Sequence, residues 1–430
     1  LAQGSSSHSL CSRLRPSRRR HQASAMSAGD PNGHGMPSHL TFFMQVSFNT
    51  AGSVILMPWT FATLGYVSGP LLMALFFGVT LKAQSYLNRA AVDGRAGAAR
   101  TLKELVTGMA GRRLGAAAAG LQAANLLLVM PAELDVTATA LQYVVNARPG
   151  SAAHCNIIYV LVVAVPAVLV TQVVRRFGHK TGALACTSFA LIVTKCALIV
   201  YGILRHADLY ASDAAPVLGT GAAALSAGTY TWPNLFSALG NFLWVFAPVF
   251  LNTELVAEMQ KPHHVHCQLL MACCCMFALY AVVGIVGART WGLSVQDPIN
   301  LQLPYDWVGV TVNVLLLYSA WLDYLISEIV FTGYVQEIFE PGFDKGDFSA
   351  GACARWFAYS MPANTCALVL ISTVPQLETL VGVIVATSVT LSSWTIPALA
   401  GLHWGRRPVK DEETADAPAA APSPKQQQQP

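Results

Sequence analysis

An all-α polytopic membrane protein of about ten spans, two inverted halves of five, is the fold this sequence predicts. Three observations predict it. Of the 430 residues, 54% are hydrophobic and only 11% are charged, against roughly 25% charged in a soluble domain. Several apolar runs exceed the roughly 18 residues that mark a membrane-crossing helix. Two of these runs, five spans apart, are interrupted by small, polar and proline residues, the pattern of a carrier built from an inverted repeat.

The first interrupted run is Thr41–Tyr66, TFFMQVSFNTAGSVILMPWTFATLGY. Asn49, Thr50, Gly52 and Ser53 stand near its middle and Pro58 follows, where a plain lipid-facing span carries Leu or Val. That composition predicts a broken helix. Backbone groups released from helical pairing cannot face lipid, since each costs several kcal/mol there, so the break must be buried in protein or line a wet cavity. The plainer alternative is a continuous span whose small residues serve close helix packing.

Residues 1–40 begin at Leu1, and Met26 is a candidate start. Arg13, Arg15, Arg18, Arg19 and Arg20 lie among serines with no acidic residue before Asp30 and no apolar core. This excludes a secretory signal; it predicts a disordered basic tail, with an organellar transit peptide as the other reading. Residues 41–404 form the membrane domain. Spans are expected near 41–64, 67–87, 116–146, 154–173, 182–203, 233–258, 267–289, 308–334, 354–374 and 377–402. Repeat one then covers 41–203 and repeat two 233–402. The long loops 88–115 and 204–232 each have room for a short amphipathic helix. Residues 405–430, with DEET, Ala/Pro repeats and QQQQP, have too little apolar content to fold and read as a disordered tail.

Orientation follows from Lys and Arg placement. With the N-terminus inside, 22 of the 26 basic residues fall in inner loops and tails. Arg148, Arg205 and Arg289 fall outside, and Lys195 lies within a span. Both termini are therefore expected in the cytoplasm, and the plasma membrane is expected ahead of a vacuolar or plastid one. Most of the ten cysteines lie in apolar runs without CxxC or His-paired spacing, and read as small buried hydrophobes rather than a metal or disulfide framework.

The second interrupted run, 233–258, PNLFSALGNFLWVFAPVFLNTELVAE, holds Gly240-Asn241 in one half and Ala247-Pro248 at the middle. An interior proline removes one backbone bond and clashes with the preceding turn. The breaks thus open spans one and six, the first of each half.

These residues resemble the amino acid/auxin permeases. The small-residue turn, apolar triplet, Pro-aromatic and Leu-Gly of that family's first span are matched by AGSVILMPWTFATLGYVSGP at 51–70. Its sixth-span pattern is matched by Gly240, Trp244, Phe246, Glu254 and Leu255 with MQKP at 259–262, and ELVAEMQKP is similar to the plant auxin-influx branch. The exit of the tenth span reads SSWTIPALAGLHW. The resemblance covers 41–404 and implies a LeuT-like fold with proton-coupled movement of amino acids, or of auxin (indole-3-acetate) in one branch. The family's eleventh span has no counterpart here, and Ala247-Pro248 replace its usual small residues.

A zwitterionic substrate needs amide donors at half-helix N-termini and carbonyl acceptors for its ammonium. The candidates are Asn49, Thr50, Ala51, Gly52 and Ser53 in span one and Trp244, Val245, Phe246 and Ala247 in span six; the aromatics serve equally as core or lipid-facing residues. Ionisable groups at membrane depth are candidate functional groups, because even insertion-based scales put Lys or Asp at about 2.5–3.5 kcal/mol at a helix centre. Lys195 in span five and Asp323 in span eight differ in depth by only about 3 Å at a rise of about 1.5 Å per residue. They are expected either to couple a proton to transport, with Lys195 standing where sodium-coupled relatives hold an ion, or to form a static ion pair. Glu133 and Asp135, beside Pro131 in span three, are expected to contact a cationic substrate group, to relay protons, or to sit hydrated in an outer vestibule. Glu254 and Glu258, four apart, are gate or surface residues. His263, His264 and His266 form a pH sensor or a solvated cluster.

The leading function is a secondary carrier of amino acids by alternating access, with a proton as coupling ion and no cofactor or metal. An auxin carrier and a non-transporting amino-acid sensor on the same fold are the alternatives. The expected partners are a small-molecule substrate and the lipid bilayer, with no nucleic acid. No span carries HExxH or GxSxG, which argues against an enzyme, and no charged ring or repeated pore loop argues for a channel.

Overall fold

Apolar runs too long for a soluble core become long helices, because a helix is the open-ended structure that satisfies its whole backbone internally in lipid. The computed structural model describes residues 36–92, 101–146, 156–175, 179–209, 232–246, 252, 255–256, 259–340, 342–374, 382 and 385–405. Repeat one contains α1 (Ser38–Thr50), α2 (Met57–Leu64), α3 (Ser68–Val92), α4 (Leu102–Ala110), α5 (Arg112–Val144), α6 (Asn156–Thr171) and α7 (His179–Arg205). Repeat two contains α8 (Trp232–Val245), α9 (Val265–Trp291), the short α10 (Ile299–Gln302), α11 (Trp307–Phe339) and α12 (Ala350–Thr373). It ends in a π-helical stretch, Val385–Thr395, that runs into α13 (Ile396–Gly405).

Among the described residues, five helices are long and apolar enough to cross a bilayer, and the bent pair α1 and α2 makes a sixth. Each of the other four predicted spans coincides with helix as well, in α6, α8, α12 and α13. Helix α4 is the amphipathic helix anticipated in loop 88–115: it buries Leu102, Leu105 and Val106, and Thr101 caps it by accepting from the Glu104 amide. The tails at 1–35 and 406–430, and residues 210–231 of the second long loop, lie outside the described residues.

Among the described residues the buried apolar side chains form two small clusters and two large cores. One gathers around α2 and includes Phe61, Phe242, Tyr280, Trp291 and Val312. The other joins α1, α5, α6, α11 and α12 through Met44, Leu126, Val163, Leu325 and Ala363. In lipid there is little hydrophobic force between helices, so close approach through small residues does the work. Gly287 on α9 lies so near α2 that a Cβ there would stand 2.5 Å from the Pro58 side chain, and one on Gly284 would stand 2.6 Å from Phe61. The glycines of span seven thereby hold the second half of span one in place.

Asp306 starts α11 and ties it to the end of α7. Its carboxylate accepts from the Val308 and Gly309 amides at 2.9 and 3.0 Å, and pairs with His206 at 3.1 Å and Arg205 at 3.3 Å. Partial burial raises its pKa, but the amides and His206 outweigh that and hold it below the usual carboxylate value. A depressed carboxylate stabilises the fold above that value, about 3.9, and the contribution is lost as pH falls through the folded pKa. Asp306→Ala should cost about 1 kcal/mol at neutral pH, the worth of an N-cap. Thermal melts in detergent of the two proteins should converge as pH drops below the carboxylate range.

Candidate functional site

The predicted break in span one is present. Helix α1 ends at Thr50, Ala51 and Gly52 turn out of it, a 3-10 turn covers Ser53–Leu56, and α2 opens at Met57 with Pro58 in its first turn. The two helices meet at 43°. Pro58 costs nothing at that place, because the first turn of a helix has no amide to donate inward. Asn49, Thr50, Ala51 and Ser53 are all buried.

Carbonyls of this break find partners on other helices. The Tyr280 hydroxyl of α9 donates to the Asn49 carbonyl at 2.6 Å. The Lys195 ammonium of α7 donates to the Ala51 carbonyl and, at 3.1 Å, to the Ser319 hydroxyl of α11. Asn49 turns its own amide back onto the Gln45 carbonyl at 2.5 Å. On the other side of the break Glu133 of α5 lies against Gly52, where a Cβ would stand 3.3 Å from its Oε2. Gly52 has right-handed helical backbone angles that any residue adopts, so its lack of a side chain serves the close approach to Glu133 rather than the turn.

The expected Lys195–Asp323 pair does not close by hydrogen bond. Lys195 is fully buried and spends its donors on the break and on Ser319. Asp323, 1% exposed, has no hydrogen-bond partner on either oxygen. Both Asp323 and Glu133 nevertheless lie within electrostatic reach of the ammonium. The hydrated-vestibule reading does not hold for Glu133, which is 6% exposed with Oε2 unpartnered. Asp135 is half-buried, points away from this group and accepts from Asn156 of α6 at 3.1 Å. Two residues along a helix turn a side chain to another face.

In span six, α8 ends at Val245 and Phe246 sits in a turn. Trp244, Val245 and Phe246 are buried, and Phe246 packs edge-on against Tyr280 at 6.3 Å. Ala247, Glu254 and Glu258 lie outside the described residues. Helices α2 and α8 are joined by Asn241, whose amide donates to the Thr60 hydroxyl at 2.9 Å. On the other side of the breaks the two spans are joined by Gln45 of α1, which donates to Asn252 at 2.9 Å, while Asn252 donates to Gln84 of α3 at 2.5 Å. Below these, Met36 pairs with Met259, and the Gln260 amide donates to the Met36 carbonyl at 3.0 Å. His263 and His264 stack edge-on at 4.3 Å and Ser38 approaches His264 at 3.4 Å, so these histidines sit at the foot of α1.

The sequence reading missed two groups. The Gln45–Asn252–Gln84 chain was signalled only by amide side chains inside apolar runs. Glu328 was signalled by a second acid five residues after Asp323. It is fully buried and accepts from Asn364 of α12 at 3.0 Å and Thr171 of α6 at 3.3 Å, and Tyr324 donates to Asn364. It faces away from the break.

A family model described as transmembrane amino acid transporter protein matches residues 38–415. Among solved structures the chain is similar to MhsT in complex with L-phenylalanine, at 13% identity and a TM-score of 0.57, over 87% of this chain and 91% of that one. That likeness is one of fold and makes the architecture LeuT-like. No curated protein sequence matches the chain.

Gly52→Val would drive a branched side chain into the Glu133 carboxylate, a mismatch that costs about 1–3 kcal/mol in a packed interior. Melting in detergent should fall accordingly, and Glu133→Ala in the same chain should restore most of the loss. A Gly52→Val protein that melts like the parent would show that the two groups are not in contact.

Proposed function

Since the chain belongs to the transmembrane amino acid transporter family and is a multi-pass integral membrane protein, we propose that it carries amino acids by alternating access with a proton as the coupling ion. The seat we assign to the substrate is the break itself, Asn49–Ser53, with Trp244, Val245 and Phe246 of span six; Ala247, the fourth candidate there, lies outside the described residues. Half-helix ends supply oriented amides and carbonyls there without any charged side chain being spent on them. The amino acid in the related structure supports this class of ligand. The distribution of basic residues supports cytoplasmic termini, and the plasma membrane is the membrane we assign.

One observation carries the coupling: the Lys195 ammonium bridges the Ala51 carbonyl of the broken span and the Ser319 hydroxyl of α11. A carbonyl and a hydroxyl presented together at a helix break are ligands for a cation, and a lysine placed there is a cation that never leaves but loses its proton. Protonated, it ties α1 to α7 and α11. Deprotonated, it gives up charge-assisted bonds and α1 is freed to move, which is how proton release would be linked to a change of access. Asp323 and Glu133 are the carboxylates near enough to receive or replace that charge, and Asp135 stands toward α6 as an entry point for protons.

Reconstituted into vesicles with an inward proton gradient, the protein should accumulate amino acids from a panel that also contains indole-3-acetate. Lys195→Gln should lower gradient-driven uptake roughly tenfold or more, since a hydrogen bond from a charged group is worth about 1.5–3 kcal/mol. Uptake by Lys195→Gln that stays pH-dependent and undiminished would remove the coupling role. Accumulation of indole-3-acetate alone would mark an auxin carrier, and saturable binding without uptake a sensor.

A further inference from the structure

At the break the acidic side chains outnumber the basic ones. Glu133 and Asp323 place two carboxylates beside one ammonium, and three of their oxygens, Glu133 Oε2 and both of Asp323, are buried without a hydrogen-bond partner. The one ammonium in reach, Lys195, directs its donors to Ala51 and Ser319 instead. Among the described residues the basic groups outside this trio stand elsewhere: Arg205 pairs with Asp306, and Arg175 donates to the Gln172 and Asp347 carbonyls at the inner end of α6. An ionised carboxylate in a dry site is costly unless a cation pairs with it.

A neutral amino acid brings an ammonium and a carboxylate that cancel each other. It leaves the second carboxylate unmatched. A solute with one more positive than negative charge cancels that excess. Glu133 is the carboxylate placed to meet it, because it touches the break at Gly52, whereas Asp323 shares its helix with the Ser319 that holds Lys195. Buried aromatics stand beside the break, with Phe246 edge-on to Tyr280, whose hydroxyl donates to the Asn49 carbonyl; a cation over an aromatic face is attracted to it.

We propose that the cargo is a cationic amino acid of the lysine, ornithine or arginine class, and that Glu133 is the binding residue that selects it. The proposal rests on the carrier reading above and adds the substrate class to it.

The test is uptake of arginine, lysine, alanine, leucine and phenylalanine into vesicles by the unaltered protein, followed by the same panel with Glu133→Gln and Glu133→Asp. The expected result is kcat/KM at least about tenfold higher for arginine and lysine than for the neutral set, the equivalent of about 1.4 kcal/mol. That ratio should collapse in Glu133→Gln and be largely kept in Glu133→Asp, which retains the charge. Melting of the detergent-purified unaltered protein supplies a readout independent of the variants: arginine should raise the midpoint at concentrations where alanine does not. Neutral amino acids carried as well as or better than arginine would overturn the substrate class and leave the carrier reading standing. A Glu133→Gln protein that still prefers arginine would overturn the role of Glu133. Transport of none of the panel by folded, inserted protein would overturn the carrier reading and this inference together.

Discussion

A helix that stops halfway across a bilayer leaves carbonyls that lipid cannot satisfy, and the arrangement around residues 49–53 follows from that constraint. Tyr280 and Lys195 answer it directly, one donating to Asn49 and the other to Ala51. Each comes from a different helix, α9 and α7, so satisfying the break also fixes which helices surround it. Lys195 in turn needs a second acceptor, which brings Ser319 and with it α11. The polar requirement of two carbonyls thus organises four helices around one point.

Packing supplies the complement on the other half of the span. Helix α2 packs closely on α9. It is held by shape, with Pro58 and Phe61 seated where Gly287 and Gly284 leave room. Its link to span six, Asn241 to Thr60, is a single neutral hydrogen bond, worth about 1 kcal/mol. One half of span one is therefore tied by an ionisable group, Lys195, and the other by close packing and a neutral hydrogen bond. That asymmetry suits an element in which one half moves while the other stays.

The same contrast explains the buried carboxylates. Glu328 is enclosed by Asn364, Thr171 and the apolar core of α6, α11 and α12, and serves the joint between those helices. Glu133 and Asp323 are also buried, and where Glu328 and Glu133 each keep one oxygen unpartnered, Asp323 keeps two. What separates them is place: Glu328 lies at the joint of α6, α11 and α12, and Glu133 lies against the break at Gly52.

Composition and run length alone made this a bundle of membrane helices, because a chain with 11% charged residues has no soluble alternative. The sequence also located the break in span one, since Asn49-Thr50-Ala51-Gly52-Ser53 followed by Pro58 is a local signal: helix propensity and the missing amide of proline act within a few residues. Lys195, Asp323 and Glu133 were legible as candidates for the same reason, each being a charge inside an apolar run. Which of them touch was decided only by the tertiary structure. Lys195 reaches past Asp323 to Ala51, 144 positions away in sequence, and Glu133 meets Gly52 while Asp135, two residues on, turns to Asn156. Such pairings depend on the rotation and crossing of whole helices, set by the summed packing of many side chains, and no local pattern records that sum.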